Sequence, residues 1–558
     1  MATKPSKLPS PDRFPDAEPY WAAINEGRLL LKRCPRCSQA HYYPRPHCPF
    51  CGHRETEWIT ASGKASIYSF VPVRGAPRPT AVAIAELAEG PRLTTSIVNA
   101  DVHALRIGDE LVLTTLPGEG GQSVAAFTTP QANEARAYTA RAIKALGTSP
   151  VEQGGAARSL QQAAVVGAGS MGAGIATALL NAGLTVCLID RAPEVLEAAR
   201  QTVHRNLDVL VQRGKLTQAD GDARRQALRT SVDIQDVAGA DVVIEAVWEQ
   251  MELKKAIFAL IDQHAPAHAV LGTNTSTLNI DHIADATGRP GQVVGLHFFS
   301  PAHVMPLLEV VRGPRTAPNV LAAARQLGAA MGKTAVVVGI CDGFVGNRLM
   351  ITRDHEADRL LLEGALPQHI DRVLTEFGLP MGTYEIADMA GGIELVHRIR
   401  QQKGQQGTIV SRLFEAGRLG QKTGKGYYRY EPGKRRPLPD PEVTALIEAA
   451  SREAGIQRRA IGDEELRSRL ILPMINEGAK LLDEGVVDRA SDIDMVWQRG
   501  FGWPAWKGGP MYHADQLGLP LVVEQLTQLQ QRLGERFRPS ALLERMARAG
   551  ERFTPTAG

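Results

Sequence analysis

The sequence predicts a multidomain chain: a small metal-binding ribbon with a β-barrel, then an α/β doubly wound domain, then two tandem all-α domains. Three observations predict it. Two Cys-x-x-Cys pairs precede short alternating apolar runs. A glycine-rich turn, Gly167 to Gly172, lies between a buried-strand pattern and a helix pattern. The residues beyond 343 hold two similar copies of one helical pattern.

The bounds are broad. The chain has 558 residues, 44% hydrophobic and 22% charged, with a net charge of +3. That length supports several cores. So small a charge offers nucleic acid or a membrane no electrostatic reason to bind. Met1 to Tyr20 carries Pro, Lys and Asp without an apolar leader. No apolar run reaches the ~18 residues of a membrane span. The terminal Thr556-Ala557-Gly558 is not a Ser-Lys-Leu peroxisomal signal. A cytoplasmic protein is expected.

The first part covers residues 1–130. Cys34, Cys37, Cys48 and Cys51 form two pairs separated by ten residues. In a reducing compartment this spacing reads as a structural four-cysteine zinc site, since four thiolates leave no position for water. Unligated thiols are the alternative. His41 and His47 read as surface residues. Ala65–Val71, Ala81–Ala85 and Glu110–Leu113 alternate and are punctuated by Gly and Pro, as barrel strands are. Such barrels can bind single-stranded nucleic acid by stacking. Tyr68 and Phe70 are the candidates here, and both read equally well as core. Residues 131–159 form a linker: a helix over Ala132–Leu146, then a Gly/Ser/Pro loop over Gly147–Arg158.

The second part, residues 160–342, alternates strands and helices. Ala163–Val166 reads as a buried strand running into Gly167-Ala168-Gly169-Ser170-Met171-Gly172, followed by a helical run over Ile175–Leu180. The first glycine permits the turn, the second lets a pyrophosphate approach, and the third lets helix and strand pack. The amides opening the helix then hold the phosphates. A second strand, Leu184–Ile189, ends at Asp190, whose carboxylate suits a ribose and repels a 2′-phosphate. NAD is favoured over NADP, against the pull of the adjacent Arg191. Asn274-Thr275-Ser276, His297 and Glu309 follow at short range. That order points to a dehydrogenase in which His297 takes an alcohol proton while a nicotinamide takes the hydride.

The remainder repeats. Asn347-Arg348-Leu349, Leu361–Gly364, Phe377-Gly378 and Asp388–Gly391 correspond to Ser468-Arg469-Leu470, Leu482–Gly485, Phe501-Gly502 and Asp515–Gly518. The copies span 343–435 and 460–558. The second has Ser468 for Asn347, so it reads as structural, shielding the cleft or dimerising.

Residues 160–558 resemble the L-3-hydroxyacyl-CoA dehydrogenase family, nearest to the dehydrogenase part of multifunctional β-oxidation enzymes. The motifs are Gly167–Gly172, Glu245-Ala246-Val247-Trp248-Glu249, Asn274-Thr275-Ser276, His297–Pro301, Asp342–Arg348 and Gly420–Gly426. The resemblance implies a Rossmann domain followed by two of the family's C-terminal domains. It implies that His297 is the general base, that Glu309 orients it, and that Ser276 and Asn347 bind the reacting oxygen. Glu249 and Lys254 would lie along the cofactor. Many members have Asn where this chain has Ser300, which puts the Ser300 contact in doubt. The Gly420–Gly426 loop could touch CoA phosphates or be a plain turn.

Residues of about 15–130 resemble a family pairing a rubredoxin-like zinc ribbon with an OB-fold. Tyr20-Trp21, Gly27–Leu31, the four cysteines and Gly63-Lys64-Ala65 carry the likeness. Members accompany acyl-CoA enzymes, commonly thiolases or lipid-transfer-type aldolases. The expected function is NAD-dependent oxidation of L-3-hydroxyacyl-CoA to 3-oxoacyl-CoA, with the N-terminal module docking a thiolase-type partner or acyl-CoA. The alternative is an acyl-CoA or nucleic-acid binding scaffold with a non-catalytic dehydrogenase half. Intact Ser276, His297, Glu309 and Asn347 argue against it.

Overall fold

A computed structural model describes residues 17–73, 79–118, 121–147, 160–389, 391–402 and 408–554. The expected loop after Gly147 and the terminal Thr556-Ala557-Gly558 lie outside the described residues. Two compact units result: residues 1–140 with 504–508, and residues 141–503 with 509–558.

In the first unit, β1 (Leu30–Arg33) pairs antiparallel with β2 (Ala40–His41) and β3 (Glu57–Thr60). Five more strands close a barrel: β4 (Lys64–Pro72), β5 (Thr80–Leu87), β6 (Arg92–Val98), β7 (Glu110–Pro117) and β8 (Ser123–Thr128). Their order is β4-β5-β6-β8-β7. A bulge between Ile67 and Ser69 re-aims β4 so that Ile67 enters the core. Ala81, Ala83 and Ala85 alternate inward on β5, and Phe127 fills the space such small side chains leave. Tyr68 is exposed beneath the Arg92 guanidinium, whereas Phe70 packs against the core. The helix expected at Ala132–Leu146 spans Pro130–Leu146.

The second unit holds an eight-stranded sheet in the order β11-β10-β9-β12-β13-β14-β15-β16. The strands are β9 (Gln162–Val166), β10 (Thr185–Ile189), β11 (Leu228–Ser231), β12 (Val242–Glu245), β13 (Val270–Thr273), β14 (Val293–Phe298), β15 (Leu307–Arg312) and β16 (Thr334–Gly339). All neighbours are parallel except β14 and β15. Helices cover both faces, so the strands are apolar on both sides. The strand order reverses between β9 and β12, where such sheets open a crevice at their carboxyl ends.

The helical repeat is visible in the contacts. Asp371 accepts the Tyr384 and Glu385 amides at the start of the helix Thr383–Met389 (3.1 and 2.9 Å). Asp494 does the same for Met511 and Tyr512 at the helix Pro510–Leu517 (2.7 and 3.1 Å). Asp388 accepts the Tyr427 and Tyr428 amides, and Asp515 those of Phe553 and Thr554. A carboxylate at a helix start complements the exposed amides and the dipole. The long helices Phe344–Glu363 and Asp463–Asp483 lie side by side with reciprocal ion pairs. Arg348 binds Glu477 and Glu484, and Arg469 binds Glu356 and Glu363. One spacing separates Arg348 from Arg469, Glu356 from Glu477 and Glu363 from Glu484, so the copies face each other across a pseudo-twofold axis.

Among the described residues no helix is long and apolar enough to cross a membrane.

Candidate functional site

Five segments reach one edge of the sheet because β9, β10, β12, β13 and β14 run parallel. The glycine turn leaves β9, Asp190 ends β10, Glu245–Glu249 leaves β12, Asn274–Thr277 leaves β13, and His297–Ser300 leaves β14.

The glycine turn is built as a nucleotide cradle. Gly167 has φ +105°, and a Cβ there would meet the Ala246 carbonyl oxygen at 2.7 Å. A Cβ on Gly172 would lie 1.8 Å from the Gly167 oxygen, so the helix Ser170–Asn181 can sit this close only with glycine. Gly169 faces open space, room for a pyrophosphate at its bare backbone. No side chain caps the helix start, and half-buried Met171 lies in its first turn. Asp190 accepts the Ala168 amide (2.9 Å) and the Ala192 amide (3.2 Å). The acid is thus fixed beside the turn, where a ribose would lie. These residues fit a dinucleotide.

Two carboxylates shape the next loops. Glu245, fully buried, accepts the Val247 amide, the Lys254 amine and the Thr273 hydroxyl, each at 2.7 Å. Glu249 accepts the Thr275 hydroxyl (2.6 Å) and the amides of Ser276 and Thr277 (2.8 and 3.1 Å). It therefore sets the loop carrying Ser276. Lys254, 1% exposed, is held by Glu245, Glu249 and the Val247 carbonyl. It supports the loop from beneath rather than offering an open amine.

His297 and Glu309 are direct cross-strand partners on antiparallel β14 and β15. Such neighbours hold their Cβ atoms about 5 Å apart, which brings residues twelve positions apart into contact. His297 Nδ1 lies 2.7 Å from Glu309 Oε2, both side chains being buried. The other carboxylate oxygen accepts the Gly346 amide at 3.0 Å. That amide belongs to the first turn of Phe344–Glu363, so the helical part completes the site. Phe344 and Phe299 flank the imidazole at 5.5 and 4.5 Å. Phe344 sits at φ +50°, costing on the order of 1–3 kcal/mol and persisting only where its surroundings over-determine it. Half-buried Asn347 follows in the same turn. It does not cap the helix; the cap position is Gly343. Asn274 accepts the Phe298 amide (2.9 Å), tying the Ser276 loop to the His297 strand. Ser300 is exposed.

The basic loop is a seal. Lys422 pairs with Glu394, and Lys425 with Glu442. A Cβ on Gly426 would lie 2.0 Å from Asp388 Oδ1, and one on Gly420 2.2 Å from the Asp388 carbonyl. The glycines let the loop close over Asp388, which accounts for the motif as a turn.

In the first unit the four cysteine sulfurs lie within 4.8 Å of one another. Cys34–Cys51 and Cys37–Cys48 are both 3.6 Å apart. Tetrahedral zinc with Zn–S of about 2.3 Å sets S···S near 3.8 Å, so the quartet fits. Each pair sits on the same turn: Ser38 N bonds Cys34 O, and Gly52 N bonds Cys48 O. Both turns use a left-handed residue, Ser38 at +60° and Gly52 at +70°. His47 is exposed as expected, but His41 is buried on β2 and is not a surface residue. Cys48→Ser should lower bound zinc well below one ion per chain by elemental analysis; undiminished zinc would remove Cys48 from the ligand set.

Sequence reasoning gave no role to Glu245 and Phe344, which it quoted only as parts of motifs, and did not single out Thr273. Glu245 had a signal, an acid ending an apolar strand; a phenylalanine beside an imidazole has none.

Residues 162–341 match the 3-hydroxyacyl-CoA dehydrogenase NAD binding domain. Residues 343–430 and 466–556 match that family's C-terminal domain. Residues 21–57 match the ChsH2 rubredoxin-like zinc ribbon domain, and 58–116 the ChsH2 C-terminal OB-fold domain. The peroxisomal bifunctional enzyme of Danio rerio is 39% identical over 410 residues, 70% of this chain and 56% of its own. The chain spans about half the length of the curated relatives it matches. The crystal structure of 3-hydroxybutyryl-CoA dehydrogenase from Escherichia coli K12 superposes with a TM-score of 0.61 at 29% identity, covering 70% of this chain and 99% of that one. For the dehydrogenase part of C. elegans multifunctional enzyme 1 the TM-score is 0.55 at 27% identity, covering 74% and 98%. Residues 162–556 belong to the 3-hydroxyacyl-CoA dehydrogenase family, carried behind a ChsH2-type zinc ribbon and OB-fold.

Proposed function

We propose that this chain oxidises an L-3-hydroxyacyl-CoA to the 3-oxoacyl-CoA in a β-oxidation-type degradation. The observation that carries the reading is the buried His297–Glu309 pair at the crevice beside the glycine turn. NAD, when bound there, supplies the acceptor for the hydride leaving C3. Gly167, Gly169, Met171, Gly172 and Asp190 would hold it, with Glu249 setting the neighbouring loop.

The protein's own task is the proton. Glu309 accepts from Nδ1–H, which fixes the tautomer and leaves Nε2 as the base for the 3-hydroxyl. As the proton arrives, the carboxylate stabilises the imidazolium. Phe299 and Phe344 exclude water, strengthening that interaction. Ser276 and Asn347 are assigned to the reacting oxygen. Ser300 is kept as a cofactor contact. The working division is 1–130, 131–159, 160–342, 343–435 and 460–558.

The ribbon and barrel are assigned to docking a thiolase-type enzyme that would consume the 3-oxo product. Sedimentation of the full chain with a candidate thiolase tests this; no association at micromolar concentration overturns it. A cytoplasmic location belongs to this reading. The reciprocal helix faces are already paired within the chain, so a homodimer would use another surface.

The direct test is NADH formation by the full chain with 3-hydroxybutyryl-CoA and longer or aromatic analogues. Turnover with NAD exceeding that with NADP is expected. Binding of these esters without turnover of any would favour a sensor instead.

A further inference from the structure

Lys333 stands immediately before β16, at the same sheet edge as the ends of β14. Its side chain is buried. The amine donates to the carbonyls of Ala302 and Met305, both at 2.6 Å. Among the described residues it forms no ion pair with a carboxylate. Those carbonyls belong to the loop joining β14 to β15, the one chain segment linking His297 to Glu309. The next residue helps: the Thr334 amide donates to Pro306 O at 2.6 Å. The loop folds on itself through Val304 and Met305 amides to the Pro301 carbonyl. On its other side it touches the nucleotide helix, where a Cβ on Gly174 would come within 3.1 Å of Ala302 Cβ. One amine therefore holds a loop that contacts both halves of the chemistry.

We propose that Lys333 is a positioning residue for this reaction: its buried amine pins the loop between the catalytic strands and so sets the His297–Glu309 pair against the nucleotide helix. This rests on the dehydrogenase reading. A buried cation without a carboxylate is costly, which makes stability a poor reason for a lysine here. Burial draws the amine down to about 8. A base depressed on folding stabilises the fold only in its neutral form, so that contribution is present at alkaline pH and lost as pH falls through about 8. At pH 7 the charged amine thus works against stability while holding the two carbonyls. His303 is the titratable side chain that faces it. Its imidazole is pushed below the ordinary histidine range by burial and then by this ammonium. The Phe298 ring lies 5.6 Å away and does not titrate. Deprotonation above about pH 8 weakens the clamp.

The test compares the full chain with Lys333→Met and Lys333→Arg. The readouts are kcat and KM for 3-hydroxybutyryl-CoA oxidation across pH 6–10, NADH affinity by fluorescence, and Tm. Misplaced reacting groups lose turnover before binding, so Lys333→Met should lower kcat at least about tenfold with KM and NADH affinity changed less than about threefold. Its Tm at pH 7 should stay within about 5 °C of wild type. Wild type should show a downward break in kcat near pH 8 that Lys333→Arg, always charged, moves beyond about pH 9.5. Lys333→Met within twofold of wild-type kcat would overturn the proposal. So would a loss of activity matched by an equal loss of folded protein in both variants, or an identical alkaline break in wild type and Lys333→Arg. Wild type inactive at every pH with 3-hydroxybutyryl-CoA and with the longer and aromatic esters would instead overturn the dehydrogenase reading itself.

Discussion

His297→Ala is expected to lower turnover at least about a hundredfold, the lower end of the ~10²–10⁴ that a positioned general base contributes. A secondary alcohol does not release its proton near neutral pH unaided. Once the imidazole is gone, its partner Glu309 remains, but that carboxylate stood behind the ring on its Nδ1 side and still accepts the Gly346 amide. The cradle at Gly167–Gly172 lies on another strand and should keep its affinity for NADH. The expected pattern is therefore a fallen kcat with NADH binding retained, measured by stopped-flow absorbance and fluorescence. Glu309→Gln keeps a polar contact for Gly346 but removes the charge that steadies the imidazolium, and should fall between the two. Activity of His297→Ala within tenfold of wild type would mean that another group takes the proton.

Glu245→Ala should cost about 3–5 kcal/mol of stability, the usual consequence of taking away the nearest partner of a buried charge, Glu249 at 3.4 Å being half-exposed. Glu245 is fully buried, and Lys254 beside it is 1% exposed. Removing the carboxylate also strips the Val247 amide and the Thr273 hydroxyl of their acceptor. The loss should register as an early transition in denaturant. Replacing both partners, Glu245→Met with Lys254→Met, should recover much of it, because no charge is then left in the interior. If the double variant is no more stable than Glu245→Ala, the penalty comes from the loop's lost hydrogen bonds and not from the stranded ammonium.

The cradle was legible in the sequence because its physics is local. A strand, three glycines, a helix and an acid follow one another along the chain, and Gly172 answers to a contact with Gly167 five residues away. The cysteine ribbon was legible for the same reason. The reach of Glu245 to Thr273 was not: it depends on β12 and β13 lying side by side, which no spacing states. Phe344 and Lys333 escaped because their partners come from other elements, and an apolar ring or a lone lysine has too many ordinary uses. In the barrel, β6 and β8 were missed because threonine, serine and alanine blur the apolar alternation. His41 was misjudged because its burial comes from β2 pairing with β1, where it lies opposite Lys32, and no spacing states that pairing.

The paired long helices have a consequence for how this protein can change. In a symmetric assembly of identical chains every substitution arrives twice, once in each subunit, and dilution can separate the halves. Here the second half is covalently tethered, so the pairing holds at any concentration. A change on one side alters one side alone. Ser468, at the position equivalent to Asn347, is such a change. On the proposed role of Asn347, the second copy is free to drift, provided its reciprocal ion pairs with the first copy persist.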